Sequence, residues 1–218
     1  MYGRGSTDGV NRRDGDAIEE RITAALERLS MAQQVVLREA AGRHGLSPIQ
    51  AQTLVHLRRS RPELARVSRL ANEFGVTNAT VSDAVSSLAA KGLVRKERAS
   101  DGRVATLVLT PAGSDVASEL AAWPAVLSAA VRSLPAASRE PLLASLMALI
   151  ESLQQAGVIT VARMCTTCRF FERDRYDDPV APHRCALLKR KLAPGSLRVD
   201  CPEHEPAVGA TRQTQPAR

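Results

Sequence analysis

Apolar positions recur at helical spacing along most of the chain. From Asp16, the residues Ile18, Ile22, Leu26 and Leu29 follow one another every three or four positions, the period of one helix face. Asp16 stands as an N-cap with Glu19 three residues on, so a helix is predicted to about His44, stopped by Gly45. Ser47-Pro48 places a cap before a proline at the first helical position and opens a second helix through Leu57. A short helix over 67–75 gathers Leu70, Ala71 and Phe74 on one face. Beyond the turn Gly75-Val76-Thr77, a helix over 78–91 buries Val81, Val85 and Leu88 and stops at Gly92. The period then changes. Residues 93–98 and 103–109 flank the polar tip Ala99-Ser100-Asp101-Gly102, and Asp-Gly between β-rich runs predicts a hairpin. Thr110-Pro111 opens a long helix to about Leu134, kinked at Pro124. A last helix over 138–155 buries Leu142, Leu146, Leu149, Ile150 and Leu153. Residues 1–16 and 206–218 lack periodicity and are expected to be disordered.

Composition narrows the possibilities. Hydrophobic residues make up 44% and charged residues 24% of the 218 residues, as in an ordinary soluble domain. Aromatics are only 3%, which argues against a sheet that stacks single-stranded bases. No apolar run reaches the ~18 residues of a membrane span. The segment MYGRGSTDGVNRRDGD lacks the apolar core of a secretory signal. A cytoplasmic protein with no membrane partner is expected.

The net charge of +7 is unevenly spread. Residues 58–103 hold ten basic and five acidic side chains, and residues 163–218 hold eleven and seven; the rest is slightly acidic. Two basic segments suit a polyanionic partner. In the first of them, helix, turn, helix and hairpin form a winged helix-turn-helix pattern, which points to double-stranded DNA. Thr77, Asn78, Thr80 and Ser82 sit at the start of the second helix, where small polar side chains and free N–H groups reach bases or phosphates. Arg103 at the hairpin tip suits a minor groove, with Arg95, Lys96 and Arg98 beside it. The competing reading is a winged helix used for protein contacts, with its charges merely solvated.

The stretch VSRLANEFGVTNATVSDAVSSLAAKGLVRKERASDGRVATLVLTPAG, residues 67–113, resembles the MarR family of bacterial transcription regulators. With flanking helices the resemblance covers roughly 17–156. It implies a homodimer interlocked through its N-terminal and last two helices, placing two recognition helices on a near-palindromic operator. It also implies that Asp101 orients Arg103 in the wing. The chain departs from the family in two places. Asp83, Ser86 and Ser87 stand where the recognition helix often carries Arg, and Val104 stands where a second wing Arg is common. Small-molecule effectors bind many such regulators, and nothing in this sequence identifies one.

All four cysteines lie between 165 and 201, spaced Cys165-x2-Cys168-x16-Cys185-x15-Cys201, with His183 and His204 beside the last two. A reducing cytosol disfavours structural disulfides, so clustered thiols there point to one metal centre per chain. Zn2+ and a [4Fe–4S] cluster are both compatible with the residues. Cys165, Cys168, Cys201 and His204 make a Cys3His zinc set, with Cys185 or His183 as alternates. Four cysteines with Phe170 and Phe171 as a water shield make a cluster site, and the spacing resembles that of high-potential iron–sulfur proteins. No Gly-rich phosphate loop, G-x-S-x-G elbow or His-Glu-x-x-His is present, so no enzyme is expected.

The expected fold is mainly α with a small β wing. An arm (1–16) precedes a winged-helix domain with dimerisation helices (17–156, DNA-reading part 47–110). A Cys-rich module (157–205) and a tail (206–218) follow. A DNA-binding sensor of redox or metal state joins the halves most simply. A DNA-binding protein with a passive zinc brace, and an electron-transfer protein, are the alternatives.

Overall fold

The computed structural model describes residues 8–60, 65–98 and 105–207; side chains are described from residue 17 on, apart from those of Arg98 and Ala105. Helix α1 (Asp8–Gly42) begins eight residues before the expected cap at Asp16, so residues 8–16 are helical rather than disordered. Helix α2 (Pro48–Arg59) opens on a capping box, in which the Ser47 hydroxyl accepts from the Gln50 N–H and the Gln50 amide oxygen accepts from the Ser47 N–H. That arrangement satisfies two N–H groups that the helix itself leaves unpaired.

Helices α3 (Val67–Phe74) and α4 (Asn78–Ala90) form the helix-turn-helix. Gly75 ends α3 at φ 64°, a left-handed conformation that a glycine adopts without strain. Strands β1 (Val94–Arg98) and β2 (Ala105–Leu109) pair antiparallel, with Val94 opposite Leu109 and Arg98 opposite Ala105. The Asp-Gly tip expected to join them lies outside the described residues.

The single long helix expected to Leu134 is in fact two. Helix α5 (Pro111–Leu120) gives way to a turn through Pro124, and α6 (Ala125–Ser133) starts afresh. Proline has no N–H to donate back into α5, so the ladder ends there rather than bending. Trp123 sits in this turn, half-buried against the main core. That core joins Leu37 and Ala41 of α1 to Leu54, Leu70, Val81, Val85, Leu88, Leu107 and Leu120. Gly113 lies so close to the wing that a Cβ there would stand 1.8 Å from the Leu93 carbonyl oxygen.

Helix α7 (Ala136–Gln155) departs from expectation in its burial: Met147 alone among its residues is buried. Leu142, Leu149 and Leu153 are exposed in the single chain, as are Ile18, Ile22, Leu26 and Leu29 of α1 and Val126 and Val131 of α6. A second, smaller core joins Met147 to Ala162 and Met164. Beyond it lies a three-stranded antiparallel sheet of β3 (Phe171–Glu172), β4 (His183–Cys185) and β5 (Arg190–Leu192). Residues 206 and 207 of the expected disordered tail are held instead: Pro206 bridges Cys168 and the Ala207 N–H donates to the Thr167 carbonyl at 3.1 Å, while residues 208–218 lie outside the described residues. No helix among the described residues is long and apolar enough to cross a membrane.

Candidate nucleic-acid interface and thiol site

At the start of α4, Thr77 is the N-cap: its hydroxyl accepts from the Thr80 N–H at 3.2 Å and lies 2.9 Å from the Thr80 hydroxyl. Thr77, Asn78 and Thr80 are exposed and Ser82 is half-buried. On the opposite face Val81, Ala84, Val85 and Leu88 are buried. The helix is thus held from behind while its polar first turn faces out. Asp83 is also exposed.

In the wing, Arg95 carries a local ion pair. Its guanidinium is 2.6 Å from the Glu97 carboxylate, two residues along the same strand, so it is already engaged on the protein. Lys96 is exposed. Arg98 is placed as the last residue of β1, and Asp101 and Arg103 lie outside the described residues.

The four cysteines, spread over 37 positions of sequence, line one cavity. Cys165 opens a 3-10 turn, and Cys168 closes it by donating its N–H to the Cys165 carbonyl at 3.1 Å. Cys185 ends β4, opposite Phe171 and Arg190. Cys201 is held by its N–H on the Arg163 carbonyl at 2.9 Å. Phe170, Phe171, Leu187, Leu188 and Leu192 wall the cavity, and Glu203 also reaches it. The free space inside it is small, about 30 Å³, and the rest of the hollow opens to solvent.

Arg198 serves two of the thiols. Its backbone N–H donates to Cys165 Sγ at 3.2 Å, and its guanidinium Nη1 lies 3.8 Å from Cys201 Sγ. Burial pushes the Cys165 thiol up from its ordinary value; the Arg198 N–H opposes this, and the other three cysteines add to it. Neither histidine named as an alternate ligand lines the cavity. His183 is buried with Nδ1 3.2 Å from the Asp174 N–H donor, and its ring meets the Phe171 edge. His204 Nε2 is 3.0 Å from the Thr167 hydroxyl.

Sequence reasoning missed the bridge between the two regions. Arg163, largely buried, contacts Asp200 at 2.7 Å beside Cys201 and Glu73 of α3 at 3.5 Å. Thr160 donates its hydroxyl to the Asn72 carbonyl of α3 at 2.8 Å. His56 of α2 belongs to the same cluster, its pKa lowered to about 4 by burial first and by Arg163 second. An isolated arginine and a polar helix end carry no periodic signal, so nothing in the sequence marks this contact.

A family model described as the MarR family matches residues 44–103. No curated protein matches the chain. Among solved structures, the Staphylococcus aureus MepR–DNA complex aligns at TM-score 0.54 and 18% identity, over 60% of this chain and 97% of that one. The transcriptional regulator PA3341 aligns at 0.52 and 26%, over 60% and 96%. A MarR-family regulator from Rhodococcus sp. RHA1 aligns at 0.51 and 17%, over 60% and 94%. Nearly the whole of each relative is matched by three fifths of this chain. Residues 44–103 match the MarR-family model, and about three fifths of the chain shares the winged-helix fold of these regulators.

Proposed function

We propose that the protein is a DNA-binding transcriptional regulator that acts as a homodimer on a near-palindromic operator. The observation that carries this reading is α4, with a buried apolar back and an exposed, N-capped polar first turn. Helix N-termini favour phosphate, and small polar side chains there can reach base edges. Thr77, Asn78, Thr80 and Ser82 make these contacts, and Arg98, Arg103 and Lys96 extend them along the wing. Arg95 contributes less, because Glu97 competes for its guanidinium. Exposed apolar faces on α1, α6 and α7 supply the dimer interface.

The cysteine module holds one metal centre per chain through Cys165, Cys168, Cys185 and Cys201, and the state of that centre alters DNA affinity. Support comes from the Asp200–Arg163–Glu73 chain of contacts, which runs from beside Cys201 to α3. A coupling of about 1–3 kcal/mol would shift affinity roughly 5–150-fold. Fluorescence anisotropy with duplex operator DNA tests the whole reading. Affinity is expected to fall about a thousandfold from roughly 50 to 200 mM salt if some six phosphates are neutralised, and Arg103→Ala should weaken it. Binding indifferent to salt would overturn the DNA reading. Equal affinity of metal-loaded and metal-free protein would leave the module a passive brace.

A further inference from the structure

The chemistry of the centre can be taken further, on the reading that the module binds metal at all. A tetrahedral zinc with Zn–S bonds of about 2.3 Å draws its sulfurs to roughly 3.8 Å of one another. No group of three or more His, Cys, Asp or Glu among the described residues is arranged to hold a metal ion as it stands, which bears on zinc and cluster alike. All four cysteines nonetheless line one cavity. Four thiols around a shared space suit an inorganic core with one thiolate at each corner.

The surroundings agree. Both histidines that would complete a Cys3His zinc set are turned to protein partners, His204 to Thr167 and His183 to Asp174. The cavity wall is aromatic and aliphatic, which keeps water from bridging sulfides that hydrolyse when exposed. Structural zinc, already closed by four ligands, needs no such wall. The Arg198 N–H and guanidinium both point at ligand sulfurs. Hydrogen bonds and positive charge at the sulfurs are the protein's means of stabilising a cluster and setting its potential.

We propose that Cys165, Cys168, Cys185 and Cys201 hold a [4Fe–4S] cluster, one iron to each thiolate, with Arg198 positioned to stabilise the sulfurs of Cys165 and Cys201. The full chain, produced with added iron and purified without oxygen, should be brown. It should carry about four irons and about four acid-labile sulfides. Cys185→Ser should abolish both, whereas His183→Ala and His204→Ala should keep them. Phe171→Ala should shorten the cluster's lifetime in air several-fold. Should the cysteine variant fail to fold, reconstitution of the metal-stripped wild type with ferrous iron and sulfide gives the same stoichiometry check. One zinc per chain without sulfide, lost with His204→Ala but not with Cys185→Ser, would overturn the cluster and keep a metal centre. Two irons and two sulfides would overturn the four-iron form. A folded chain that takes up neither metal would overturn both. Operator binding by the same preparations judges the DNA reading separately.

Discussion

His56 shows how a buried helical side chain can acquire a measurable role. Its ring meets Phe74 edge-on, and its Nε2 is buried with no hydrogen-bond partner among the described residues. Burial and the nearby Arg163 lower its pKa from 6.5 to about 4, so the folded protein holds it neutral. In the unfolded chain it takes a proton as pH falls through 6.5, and the folded state does not follow until about 4. The contribution of neutral His56 to stability is therefore complete above pH 6.5 and lost progressively toward pH 4. Urea unfolding at pH 7 and pH 5 should show a fall in stability that is smaller for His56→Phe, which keeps the ring packing and cannot titrate. An identical fall in both proteins would place the acid sensitivity elsewhere. Sequence alone shows an isolated histidine on a helix, because its pKa is depressed by burial first and then by Arg163 and Arg69, both remote along the chain, with Asp200 opposing them.

Among the elements, those with local signals were legible and those fixed by distant contacts were not. Ser47-Pro48 and Thr110-Pro111 announce helix starts, and both hydroxyls cap as expected, whereas Thr77, read from the sequence only as part of a turn, proves to cap α4 as well. The turn glycines Gly75 and Gly92 take positive φ where the pattern stops. The break at Pro124 was legible as a disturbance, but the packing of Trp123 against the core was not. The docking of the cysteine module on α3 was not legible, since it rests on a buried arginine between two carboxylates and a Thr160 hydrogen bond to the Asn72 carbonyl. Asp200 is half exposed and stays solvated without Arg163, so the main loss is the cation beside the largely buried Glu73. Arg163→Met should therefore lower stability by about 1–3 kcal/mol. It should also shrink the difference in operator affinity between loaded and metal-free protein. The double variant Arg163→Met with Glu73→Gln should recover part of the stability and none of the coupling. If the single variant keeps the full affinity difference, the Arg163 bridge is not the route between the two sites.

For the whole molecule, the single chain leaves an unusual amount of apolar surface on three helices. Ile18 and Leu29 are more than half exposed, and so is Val126. Periodicity in the sequence identifies the α1 and α7 stripes as apolar faces; only the structure shows that nothing among the described residues covers them. Ile22→Asp combined with Leu149→Asp should yield a monomer by analytical ultracentrifugation. Operator affinity should fall at least about tenfold, since one half-site must then suffice. A wild-type protein that sediments as a monomer at micromolar concentration would remove the dimer. The turn between α5 and α6 has a bearing on how such an assembly can be watched. The chain has one tryptophan, and Trp123 lies half-buried at the junction between the core of the DNA-reading lobe and the exposed face of α6. Indole emission shifts with the polarity around the ring, so the protein carries its own optical gauge at this joint. If operator binding tilts the lobes against the dimer helices, unlabelled protein will report it as a change of colour and intensity. A spectrum that stays the same while DNA binds would mean that lobe and dimer helices move as one body.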